Sequence, residues 1–120
     1  MTKFKKYGLW AVIAISTIAF IAAGTAKLMG VEMVHKSFAV LGLPVFTGYL
    51  VGGCEIAGAI GLFIKKLSAL AAAGLALIMI GAMYYHLKFD PQGFMPAALL
   101  FTFSVIIFLG RKNDSLLFNK

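Results

Sequence analysis

The chain has 120 residues, of which 62% are hydrophobic and 12% charged, with a mean hydropathy of +0.97. A soluble domain runs about 25% charged and about 45–50% apolar, and a chain this short cannot hide so much apolar material inside itself. An ordinary soluble domain, a disordered chain and a disulfide-built secreted domain are therefore excluded, the last also because Cys54 is the single cysteine.

Four apolar stretches mark the expected spans, in one domain over residues 1–120. The first is 9–26, the second 47–64, the third 67–85 and the fourth 94–109. A spanning helix needs about 17–25 mostly apolar residues. Hydrocarbon offers no partner for an unpaired backbone group, so helices are expected. The predicted fold is an all-α membrane protein with four transmembrane helices in an antiparallel bundle.

The first stretch follows Lys3, Lys5 and Lys6 and closes at Lys27. A basic start before an apolar run also resembles a signal peptide, with Gly24-Thr25-Ala26 as a loose cleavage site. The run is longer than the usual signal core of about 7–15 residues, which favours a retained span. The longest connection, 27–46, carries Val34, Phe38 and Leu41 at helical spacing around His35 and Lys36. That pattern predicts a short interfacial helix, stopped by Gly42 and Pro44.

In the second stretch Gly48 and Gly52 form a GxxxG pattern, and Gly53, Ala57 and Gly61 form another small-residue line. In the third, Ala69 and Ala73 are four apart. Small residues let helix backbones approach closely in lipid. Packing within one chain and a homo-oligomer interface both remain open. Lys65-Lys66 leaves almost no loop between spans two and three, so those helices pair tightly. Asp90-Pro91-Gln92-Gly93 reads as the turn before span four.

The net charge of +7 follows the positive-inside rule. Lys3, Lys5, Lys6, Lys65, Lys66, Arg111, Lys112 and Lys120 fall on one face, against Lys27, Lys36 and Lys88 on the other. Both termini are expected in the cytoplasm. Orientation explains the charge, so no nucleic-acid partner is implied.

Ionisable groups inside spans are rare without a reason, costing about 2.5–3.5 kcal/mol at a helix centre. Glu55 lies ten residues before Lys65, which is about 15 Å and close to mid-depth. It shares a face with Gly48, Gly52 and Ala59 and points into the bundle. It reads as a proton carrier, an anchor for a polar head group, or a structural carboxyl. Lys27 either snorkels outward or turns inward to Glu55 across about 10 Å of depth. His86 ends the third span on a face with Met83, Ala82, Met79, Leu75 and Ala72. It reads as an interfacial histidine or a proton relay. Lys27, His35, Glu55 and His86 together outline a polar funnel ending at Glu55. Cys54 reads as a small packing residue, and Gly24 and Met79 as pocket or packing positions.

No HExxH, CxxC or carboxylate-rich metal set is present, and no Walker or GxGxxG loop. A haem between two histidines has poor support, since only His86 sits on a predicted span. Redox chemistry would need a quinone or a partner subunit to carry electrons.

The stretches AAGTAKL at 22–28, GLPVFTGYLVGGCEIAGAIGL at 42–62 and LSALAAAGLALIMIGAMYYHL at 67–87 resemble the DoxX-like family of small four-span membrane proteins. The resemblance covers most of the chain. It implies a four-helix membrane bundle whose relatives are linked to membrane oxidoreductase assemblies, including quinone-reducing thiosulfate oxidation, and more distantly to assembly chaperones. The family motif falls on Lys27, Gly52 and Glu55, and less closely on His86. The leading expectation is a quinone- or lipid-binding membrane subunit of a redox assembly in a bacterial plasma membrane, with no covalently bound cofactor. A non-enzymatic scaffold or assembly chaperone is the alternative. A small proton-coupled transporter is the second alternative, although the small multidrug type carries its glutamate in span one. Whether the chain catalyses a reaction is left open.

Overall fold

The structure, a computed structural model, describes residues 2–112. Lys120 and the side chain of Val34 lie outside the described residues. Five α-helices follow one another: α1 (Lys3–Leu28), α2 (Glu32–Val40), α3 (Phe46–Phe63), α4 (Ser68–Phe89) and α5 (Phe94–Arg111). Among the described residues there are no strands. Four of these helical segments are long and apolar enough to cross a membrane; the last includes the 3-10 turn Pro91–Gly93. The short α2 occupies the connection where an interfacial helix was expected.

Helix ends are set by local chemistry. Thr2 caps α1 by accepting from the Lys5 amide at 3.2 Å. Gly30 follows α1 and Gly42 follows α2, with φ of 75° and 77°. This left-handed region is costly for any residue with a Cβ, and it reverses the chain after each helix. Between α3 and α4 the turn around Lys65-Lys66 is closed by the Ser68 hydroxyl, which donates to the Leu62 carbonyl at 2.8 Å. Asp90 ends α4, and Pro91–Gly93 leads straight into α5.

The bundle measures 44 × 25 × 21 Å. Its long axis matches a bilayer of about 40–45 Å with head groups included. Contacts are densest between α4 and α5 and between α1 and α3, while α3–α4 and α1–α5 close the ring. Ile13, Phe20, Leu62, Leu75 and Ile107 form the buried centre. The outward faces carry large apolar side chains, such as Ile18 at 71% exposed and Leu77 at 69%. In water such a surface would aggregate; in lipid it is solvated.

The small residues on α3 serve contacts within the chain. A carbon added at Gly52 would meet Lys27 Cβ at 2.7 Å, and one at Gly24 would meet the Gly52 carbonyl oxygen at the same distance. Gly48 gives room to the His35 ring. The other small-residue line is split: Gly61 faces Ala71, whereas Gly53 has open space and Ala57 is exposed.

One expectation is corrected. Cys54 does not pack inside; it is exposed on the outer side of α3, because one residue rotates the helix by about 100° from the inward-facing Glu55. Arg111, grouped with Lys65 and Lys66 on one face, is only 4% exposed. Its guanidinium lies 4.6 Å from the Trp10 ring centroid, and Trp10 meets Phe63 at 5.8 Å. This stack ties the ends of α5, α1 and α3 together at the same end as the α3–α4 turn. The planar guanidinium is weakly hydrated and suited to stacking on an aromatic face.

Candidate functional site

Glu55 is fully buried in the middle of α3. Its Oε1 lies 2.7 Å from Lys27 Nζ, so Lys27 turns inward. Gly24 and Gly52 let α1 and α3 touch backbone to backbone. A carbon added at Gly52 would lie 2.7 Å from Lys27 Cβ, and one at Gly24 would lie 3.3 Å from Glu55 Cβ. Lys27 therefore stands level with Gly52, three residues from Glu55, and the four-carbon stem of lysine spans the axial gap of about 4.5 Å. The contact is an ion pair without the alignment of a hydrogen bond, and Glu55 Oε2 has no hydrogen-bond partner among the described residues. A buried acceptor in that state carries a desolvation cost.

The pair lies in the wall of a cavity of about 490 Å³. Phe38 and Leu41 of α2, Val51 of α3, and Ile78 and Met79 of α4 supply apolar walls. Farther along α4, His86 and Asp90 border the same space. His86 Nδ1 lies 3.2 Å from the Asp90 carbonyl oxygen and 3.3 Å from its Oδ2. Gly93 lies flat against the imidazole, because any side-chain carbon there would overlap the ring. Tyr85 meets that ring edge-on at 5.2 Å. The histidine is thus held on three sides.

Lys27, Glu55, Met79 and His86 therefore share one cavity. Gly24, Gly48 and Gly52 are packing positions around it. His35 does not line it. Its Nε2 lies 2.7 Å from the Lys27 carbonyl oxygen, and its ring stacks on Tyr49 at 4.4 Å. The Lys27 carbonyl also accepts from the Gly30 amide at 3.1 Å, and an Nε2–H of His35 adds a second donor that fastens α2 to α1.

Two contributions escaped the sequence reading. Asp90 was read only as part of a turn, although its i,i+4 spacing from His86 was a usable signal. The α2 side chains were read as interfacial, and nothing in their spacing says that Phe38 and Leu41 cover Glu55.

A family model described as the DoxX-like family matches residues 11–108. A curated protein of Bacillus subtilis (strain 168), named "Putative oxidoreductase CatD", is 29% identical over 83 residues. The match covers 69% of this chain and 62% of that protein. No solved structure matches the chain. The matched region takes in α2, α3 and α4 whole, with most of α1 and α5, and therefore Lys27, Glu55 and His86. With its four long apolar helices, the chain is a multi-pass membrane protein that belongs to the DoxX-like family.

Proposed function

We propose that this protein binds a quinone or a lipid-like molecule as the membrane subunit of a redox assembly, with Glu55 as the ligand or proton site. The observation that carries this reading is the unpartnered Oε2 of a fully buried carboxylate beside a cavity with largely apolar walls. Apolar walls with a few convergent polar groups suit a small hydrophobic ligand. Lys27 holds the negative charge of Glu55 in place, and its remaining ammonium protons face an acceptor on the ligand. His86, backed by Asp90, offers a second proton-exchanging group at the end of the cavity. The quinone itself would carry the electrons. The oxidoreductase part of the reading draws on the name of the Bacillus subtilis relative. The charge asymmetry supports cytoplasmic termini, with α2 on the outer side, and the Bacillus subtilis relative supports a bacterial plasma membrane.

The test is mass spectrometry of lipids that co-purify in mild detergent, comparing wild type with Glu55→Ala. A quinone or a single lipid species retained by wild type and lost from the variant is expected. Bulk lipid alone in both samples would move the reading to a scaffold without a ligand.

A further inference from the structure

The cavity at Lys27 and Glu55 is open on its side as well as at its end. Leu77 and Gly81 of α4 border it, yet Leu77 is 69% exposed and Gly81 is exposed too. Both therefore stand where the cavity meets the outer surface. Their depth is informative. The helix α4 has 22 residues from Ser68 and is about 33 Å long. Leu77 is about 14 Å along it and Gly81 about 20 Å. Both positions fall within a hydrocarbon layer of about 30 Å. The opening at Gly81 thus faces acyl chains. His86 and Asp90 border the same cavity farther along, at the end of the helix.

Two features make this an entrance. The helices α3 and α4 are joined by a short turn at one end, and toward the other end α2 lies beside α3, with Phe38 and Leu41 over the cavity. Gly81 then supplies a low threshold: a side-chain carbon there would meet nothing within 4 Å. The deep end supplies the recognition. Lys27 already balances Glu55, so an ionised head group would add an uncompensated buried charge at large desolvation cost. Oε2 lacks a donor, and the ammonium has protons to spare. A hydroxyl head satisfies both, donating to Oε2 and accepting from the ammonium.

We propose that the ligand enters sideways from the hydrocarbon across Gly81, and is a tailed amphiphile with an uncharged hydroxyl-bearing head. Its head reaches Lys27 and Glu55 while its tail stays among the lipid chains beside Leu77. This rests on the reading of the cavity as a ligand site, and adds the route and the head chemistry. A quinol and a glyceride share that chemistry.

The experiment uses the full chain in lipid nanodiscs and two photoprobes. Both carry a hydroquinone head with a diazirine; one has a decyl tail and the other has none. The variants are Gly81→Phe, which puts a ring across the opening, and Gly74→Phe, which adds the same ring to an exposed glycine of α4 that does not border the cavity. Labelling of the cavity by the tailed probe should fall at least tenfold in Gly81→Phe and stay within twofold of wild type in Gly74→Phe. The tail-less probe, which enters from the His86 end, should stay within twofold in both. Equal loss of both probes in Gly81→Phe would mean a filled cavity and overturn the side entrance, as would unchanged labelling by the tailed probe. Competition by unlabelled decylhydroquinone or dioctanoylglycerol supports the uncharged head and identifies its source. Competition by an anionic phospholipid alone overturns it. If neither probe labels the wild-type cavity, the ligand-site reading itself fails, which is a different result from failure of the route.

Discussion

Gly24 and Gly52 oppose each other so closely that a carbon added to the first would lie 2.7 Å from the carbonyl oxygen of the second. This contact places α1 against α3 and brings the Lys27 stem within reach of Glu55. Gly52→Val must push the helices apart, because its Cβ would also meet Lys27 Cβ at 2.7 Å. The expected loss is about 1–3 kcal/mol of unfolding free energy, typical of overpacking. Gly53→Ala, with open space around it, should cost nothing measurable. Denaturant unfolding in mixed micelles compares the two; equal stability of the two variants would contradict the close approach.

The ion pair makes a second prediction. Removing one partner strands a buried charge, so Lys27→Met alone should cost about 3–5 kcal/mol. Adding Glu55→Met removes the stranded carboxylate, and the double variant should recover most of that loss. It should also retain no ligand, which separates folding from function. Unfolding curves of wild type, Lys27→Met, Glu55→Met and the double variant, with lipid analysis of each, check both parts. A double variant no more stable than Lys27→Met would show that the two residues are not coupled.

At the end of the cavity the His86 ring is confined by Gly93 and Asp90. Gly93→Ala should displace the ring and raise its rate of modification by diethyl pyrocarbonate several-fold. The cost in stability should stay within about 1 kcal/mol, since a half-exposed ion pair contributes little. An unchanged modification rate would mean that Gly93 does not hold the imidazole.

At the opposite end, Trp10 is the single tryptophan and reports directly on Arg111. Arg111→Leu should shift its emission and remove a cation–π contact of about 0.5–2 kcal/mol. Arg111→Lys keeps the charge but loses the planar stack, so its emission should follow the leucine variant. Fluorescence spectra and unfolding midpoints of the three proteins provide the check.

Orientation is open to cysteine labelling in whole cells. Native Cys54 faces lipid at mid-depth and should resist a membrane-impermeant maleimide. In a Cys54→Ser background, Lys36→Cys should label from outside, and Lys65→Cys only after the membrane is opened. The reverse pattern would place the termini outside.

Much of the architecture was legible along the chain. The apolar runs, the Lys65-Lys66 turn, the stop at Gly42 and the inward face carrying Gly48, Gly52, Glu55 and Ala59 are local properties. Hydropathy and helical periodicity add up residue by residue, and the bilayer imposes the same length on every span. The depth of Glu55 followed from counting rises per residue.

What met Glu55 was a different matter. Lys27 was left between snorkelling outward and turning inward, because the choice depends on how closely α1 crosses α3, and the Gly24–Gly52 contact decides that. Phe38 and Leu41 reach the cavity only because His35 fastens α2 to the end of α1. The outward side of Cys54 and the burial of Arg111 were not legible, because local sequence does not say which side of a helix finds a partner. Spans are set by the solvent around each segment, so the sequence alone determined them. The convergence of Lys27, Glu55 and His86 on one cavity depends on interhelical distances of a few ångströms, which only the packed bundle decides.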